Sequence, residues 1–269
     1  MLILTCPAQL QCLEGALRRS LPLALPVYGA VMNMNRGNPG DFEAVVDAWP
    51  DFRAAPADDC YMNMHAAFYR DLGAYRALLE SPGAVRWDTA FHIFGGEGVA
   101  SASQAVAGAK GVELEVSEYY TYLHPDPSTM PEPRLRLGSL SAAHADLLDS
   151  TWAYGGSARS RRYLAEMVAR FPSLCLLDAA ARPVCWALRD PFGAGAHGYT
   201  LPAHRRRGHM QALTILAARR AHAGGFPVFG HTALGNGPMQ RLQEQLGSRR
   251  LPGLCRFVLH NPGLGRPGP

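Results

Sequence analysis

Beyond residue 139 the apolar positions switch repeatedly between a helical and a strand period. Residues 140–152 (LSAAHADLLDSTW) carry a helical stripe opened by a small polar N-cap at Ser141 or a neighbour. A Gly155-Gly156 break separates it from a second helix, ARSRRYLAEMVARF, which ends at Pro172. LCLLDAAARPVCWALRD then sets two apolar runs around an Asp/Ala/Arg turn, the pattern of an antiparallel hairpin. After it, HGYTLP predicts a strand, residues 210–223 a helix, FPVFGHT a strand, residues 238–246 a helix and CRFVLH a strand. The closing GLGRPGP has no packing pattern and reads as a disordered tail.

The first half is less regular. Residues 25–39 (LPVYGAVMNMNRGNP) alternate and predict a strand ending in a Gly/Asn/Pro turn. FEAVVDAWPDF groups Val45, Val46 and Trp49 in a short element that Pro50 terminates. Residues 61–79 place Met64, Phe68, Tyr75 and Leu79 near helical spacing and predict a helix or helical pair. AFHIFG (90–95) predicts a strand, residues 97–110 a helix of small residues, and residues 112–123 another strand. At the N-terminus, Arg18 and Arg19 with a single acid give a composition shared with mitochondrial presequences. Leu10, Leu13 and Leu17, spaced helically after Pro7, are read instead as a folded helix.

Residues 124–136 (HPDPSTMPEPRLR) are proline-rich and form the linker candidate, giving domains at 1–130 and 137–260. No repeat recurs at a fixed period, yet two adjacent α+β halves are compatible with a diverged duplication. At 269 residues and 48% hydrophobic composition the chain can bury a sizeable core. No apolar run reaches the ~18 residues of a membrane span. The net charge of +4 is spread thinly, apart from basic runs at 159–162 and 205–207. That distribution favours a small anionic ligand over nucleic acid, which needs a broad basic face. The six cysteines show neither C-x-x-C spacing nor a secreted rhythm, so reduced thiols and no metal site are expected.

The chemistry concentrates in residues 199–210, YTLPAHRRRGHM. A strand running through a Pro turn into a helix start offers unpaired N–H groups and the positive end of the helix dipole. Arg205, Arg206 and Arg207 add cationic donors, and Gly208 lets backbone approach a diphosphate. The string Arg205-x-x-Gly208-x-Met210 resembles the acyl-CoA loop of the GNAT superfamily, Q/R-x-x-G-x-G/A, with Met210 where a small residue is usual.

The resemblance widens on VYGAVMNMNRGNP, WPDF, DSTWAYGGSARSRRYL, FPSLCLLD, PVCWALRD and HGYTLPAHRRRGH. Together these strings are similar to the glycine N-acyltransferase family, nearest a glycine N-acyltransferase-like branch, over residues 2–259. The resemblance implies an α+β chain: a GNAT acyl-CoA N-acyltransferase fold preceded by a smaller α/β N-terminal domain, itself a candidate GNAT-like half. It implies acyl-CoA as co-substrate, no permanently bound cofactor, glycine as acceptor, and a mitochondrial location with a cytoplasmic one as alternative. By the same resemblance Arg205, Arg206, Arg207, Gly208, His209 and Met210 grip CoA, and the Leu201 backbone meets the pantetheine. Asn236 stands where the superfamily often has an Asn facing the thioester side, or else it is a turn residue or N-cap before the next helix.

Thioester aminolysis needs a base, and here the chain departs from its family. The family typically reads T-L-P-E at this loop, with that Glu as proposed general base; position 203 is Ala. His204 is the nearest substitute, although neighbours in extended chain point to opposite faces. His197, Tyr199, His231 and Asp190 are further candidates, each with a packing role as the alternative. Arg159, Arg161 and Arg162 suit either an acceptor carboxylate or a solvated helix face, with the WAYGG turn beside the pocket. Trp186 and Phe229 are expected in the core. Three functions remain open: glycine N-acyl transfer, transfer to glutamine or another small amine, and CoA binding without transfer because of Ala203.

Overall fold

The computed structural model describes residues 1–48, 51–55, 63–131 and 137–263. Trp49, the stop expected at Pro50, Cys60, the later part of the proline-rich stretch and nearly all of the Gly/Pro tail lie outside them. The chain divides into two compact units, residues 1–119 with 252–269, and residues 120–251.

In the first unit β1 (Leu2–Leu4), α1 (Pro7–Arg18) and α2 (Leu25–Asn35) precede β2 (Glu43–Ala48), β3 (Asp51–Ala55) and β4 (Met64–Ala66). Then come α3 (Leu72–Glu80), β5 (Phe91–Gly95), α4 (Glu97–Lys110) and the long β6 (Glu113–His124), within which the unit ends. Two predictions fail here. Residues 25–35 are helix rather than strand, because apolar residues cover the whole circumference and nearly all of them are buried; a short apolar run of that kind has no periodicity to separate the two. Residues 61–79 are not a continuous helix: Met64–Ala66 pairs with β5, and helix begins at Leu72 behind the Asp71 cap. The turn after residue 35 and the helix over 97–110 follow the sequence, the latter ending on left-handed Gly111.

The second unit continues from β6 through a 3₁₀ turn (Pro127–Thr129) to β7 (Leu137–Gly138). There follow α5 (Ala145–Thr151), α6 (Ala158–Arg170), β8 (Ser173–Leu177), β9 (Pro183–Arg189) and β10 (Gly195–Thr200). It closes with α7 (His209–Ala223), β11 (Val228–Ala233), α8 (Gly237–Gln245) and β12 (Arg249–Arg250), and β13 (Cys255–Asn261) returns to the first unit. In the first unit β13 lies between β5 and the early part of β6. In the second, the strand order is β6, β11, β10, β9, β8, β7, with β12 also on β6. Ser141 caps the first turn of the α5 segment, as predicted. Leu213 and Leu216 of α7 pack on Leu174, Leu176, Val184 and Cys185, each fully buried Leu adding roughly 1.5–3 kcal/mol. Trp186 and Phe229 are core residues, as expected. The five described cysteines are free thiols, and no helix among the described residues is long and apolar enough to cross a membrane.

Candidate active site

The site is built on an interruption of β10. Its ladder with β9 pairs Gly195 with Arg189 and Ala196 with Leu188, then resumes at Tyr199 with Trp186 one residue out of step. His197 and Gly198 are the bulge, and His197 holds φ +50°, a conformation rare outside glycine. On its other edge β10 runs parallel to β11 and pairs one position, Gly195 with Gly230. Gly230 permits that approach, since a Cβ there would stand 3.2 Å from the Gly195 carbonyl oxygen. Beyond this point the β9 edge stays closed, with Leu201 N–H donating to Val184 O at 3.0 Å, while the β11 edge is open. An opened parallel edge presents backbone donors and acceptors that a ligand can take up.

The open edge leads into the basic loop. Pro202–His204 form a 3₁₀ turn, so His204 is not on extended chain and the argument from strand alternation does not apply to it. Ala203 is exposed at the middle of that turn. Arg206 (φ +60°) and Gly208 (φ +73°) have positive φ, whereas Arg207 and His209 between and after them do not. Such alternation turns successive N–H groups to one side, an anion-binding nest. α7 then starts on Gly208 with no side chain capping it, so its first-turn N–H groups and dipole add to the same side. Arg206 and Arg207 are exposed. Arg205 is committed to the strand end: its Nε donates to Thr200 O at 3.0 Å and its guanidinium lies 5.3 Å from the Tyr199 ring centre. Met210 reaches back over Gly198, its Sδ and Cε lying 3.5 Å from where a Cβ at 198 would be.

The other candidates separate into neighbours and bystanders. Asn236 caps α8, its Oδ1 accepting from Met239 N–H at 3.3 Å. Gln240 Nε2 holds the end of β11 through the Ala233 and Leu234 carbonyls. Tyr199 stacks on Trp186, with ring centres 5.5 Å apart. His231 Nδ1 lies 3.1 Å from Thr121 Oγ1, and burial pushes its pKa down to about 4. Asp190 is at the far end of β10 from the loop, where it accepts from Phe192 and Ala194 N–H groups. Burial raises its pKa to about 7 against those hydrogen bonds. Arg161 pairs with Asp146 on an exposed surface, and Arg159 and Arg162 are exposed on the same helix.

One grouping was only half visible in the sequence. Asp149 ties the WAYGG turn, accepting from Gly156 N–H at 3.0 Å and from Ser160 Oγ at 2.5 Å. So fixed, the turn sets Trp152 against His197 with ring centres 4.8 Å apart, and Tyr163 Oη lies 3.3 Å from His197 Nε2. The DSTWAYGGSARS string marked the turn. Its contact with residue 197 depends on the β10 bulge, which has no local sequence signal.

Comparison with known proteins bears on family and fold. Residues 1–172 match the family model described as aralkyl acyl-CoA:amino acid N-acyltransferase, and residues 174–256 match its C-terminal region. Glycine N-phenylacetyltransferase of Bos taurus is 30% identical over 278 residues, covering 91% of this chain and 94% of that protein. Glycine N-acyltransferase of Homo sapiens has the same identity and coverage. An X-ray structure of a Drosophila protein superposes with a TM-score of 0.80 at 15% identity, over 96% of this chain and 97% of the other. A tandem GNAT protein of the clavulanic acid pathway gives 0.52 at 14% identity, over 98% and 96%, and both likenesses concern the GNAT fold alone. The chain belongs to the aralkyl acyl-CoA:amino acid N-acyltransferase family, enzymes of GNAT fold that use acyl-CoA as co-substrate.

Proposed function

We propose that the protein transfers an acyl group from acyl-CoA to the amine of glycine, releasing N-acylglycine and CoA. The supporting observation is the open β10 edge ending in a nest and an uncapped helix, a continuous track for pantetheine and diphosphate. In this reading N–H groups of residues 206–210 and the Arg206 and Arg207 side chains hold the diphosphate. Arg205 stiffens the strand end, and because the Leu201 N–H and carbonyl already bond Val184 and His204, the β10 backbone before Leu201 meets the pantetheine. The bulge at His197 and Gly198 faces the thioester, where free backbone N–H groups stabilise the oxyanion. Asn236, with Oδ1 occupied as a cap, has its amide Nδ2 to offer the sulfur side. Ala203 supplies no base; His204, in the 3₁₀ turn beside it, and His197, in the bulge, offer imidazoles on the same segment. The family relatives named for glycine support the acceptor, and we place the reaction in mitochondria by the same resemblance, with the cytoplasm as the alternative.

The test follows thiol release from acetyl-, benzoyl-, phenylacetyl- and long-chain acyl-CoA with glycine or glutamine. Glycine-dependent release is expected, and Ala203→Glu should raise kcat about tenfold by restoring a carboxylate base. Greater release with glutamine would reassign the acceptor. Tight CoA binding without acceptor-dependent release would make the chain a CoA-binding protein, the alternative that Ala203 motivates.

A further inference from the structure

We propose that the imidazole of His197, seated in the β10 bulge, is the proton acceptor of acyl transfer in this chain, in place of the carboxylate that position 203 lacks. This rests on the transferase reading above. The residue interrupts the ladder where the strand edge opens, on the stretch of backbone read above as facing the thioester. It holds a left-handed conformation that costs about 1–2 kcal/mol for a non-glycine residue. Strain of this kind concentrates where surrounding structure holds a group for use.

The ring's own bonding supports the role. Nδ1 is buried without a hydrogen-bond partner, while Nε2 is 3.3 Å from Tyr163 Oη. With Nε2–H donating to Tyr163 Oη, Nδ1 retains its lone pair. Trp152 and Tyr163 flank the ring. Tyr163 is the titratable group facing it from α6, Tyr199 stands on the same strand and His231 on β11. Burial pushes the imidazole pKa down to about 4, so the ring is neutral throughout the physiological range.

The step balances. Glycine enters as free amine and its nitrogen forms the C–N bond at the thioester carbonyl. His197 takes one proton from the nitrogen of the tetrahedral adduct. Collapse breaks the C–S bond, and the imidazolium returns that proton to the departing thiolate, leaving amide, thiol and a neutral ring.

His197→Asn and His197→Gly test it, since both residues tolerate the positive φ. Each should lower kcat roughly a hundredfold or more with CoA affinity within about threefold of wild type, as the grip lies elsewhere on the track. Added imidazole should restore His197→Gly at least about tenfold without raising wild-type or His197→Asn rates. Near-wild-type kcat in His197→Asn, absence of rescue in a His197→Gly that binds CoA, or loss of CoA binding in both variants would overturn the assignment. An inactive wild type that binds CoA would instead overturn the transferase reading itself.

Discussion

The two units repeat one order of elements and treat the same junction in opposite ways. In the second, β10 and β11 are parallel, paired once, and followed by α7 with an uncapped start. In the first, β4 and β5 are also parallel, but they pair at three successive positions, Met64 with His92, His65 with Ile93 and Ala66 with Phe94. Ala67 N–H extends that closure to Phe94 O at 3.1 Å. α3 then begins on Asp71, whose carboxylate accepts from Ala74 N–H at 2.6 Å. A carboxylate there satisfies the helix start and repels an anion. Tyr69, in the segment between strand and helix, stacks on Tyr75 of α3. The same architecture is thus closed and capped in one unit and open and uncapped in the other, where we propose that the ligand lies, and the difference is one ladder and one cap.

The contrast breaks most sharply if the second unit is given the cap chemistry of the first. Gly208→Asp fits sterically, because nothing lies within 4 Å of a Cβ there, and Asp tolerates left-handed backbone. It should weaken CoA binding about a hundredfold by placing a carboxylate at the diphosphate while the melting temperature shifts by no more than about 2–4 °C; calorimetric titration and thermal melts read both. Replacing Arg206 and Arg207 together by Ala should cost about tenfold in CoA affinity and flatten its salt dependence, measured by titration across ionic strengths.

Acid should act on both units. His197 and His231, held near pKa 4, and His260, held near 3, are buried neutral in the fold. Their folded pKa values lie below the unfolded one, so their contribution is full above the ordinary histidine range and is lost as pH falls towards 4. Asp190, raised to about 7, runs the other way and loses its contribution as pH rises through 7. Three groups against one predict a melting temperature that drops from pH 7 to pH 4. His260→Phe, whose ring would stack on Phe91 as His260 does at 4.2 Å, should make that drop shallower. The smallest effect belongs to Asp71→Ala, about 1 kcal/mol of stability with CoA affinity unchanged.

What could be read in advance depended on how local the cause was. The helix over 97–110 and the strand, loop and helix over 195–223 carry their own glycines and periodicity, and the sequence places them well. Residues 25–35 carry no such signal, since burial on every face erases the amphipathic stripe. The basic loop was legible as an anion site, but the alternating φ that shapes it was not. The bulge at His197 is set by register against β9, and its contacts with Trp152 and Tyr163 join residues 34 or more positions apart. The return of β13 to the first unit is likewise a long-range choice that no local pattern encodes.

Amide exchange with and without CoA separates the two units. An open edge and an uncapped helix that take up the ligand slow exchange at residues 196–199 and 206–211 and leave residues 67–74 unchanged. Protection at 67–74, or none at 206–211 under saturating CoA, would contradict that contrast.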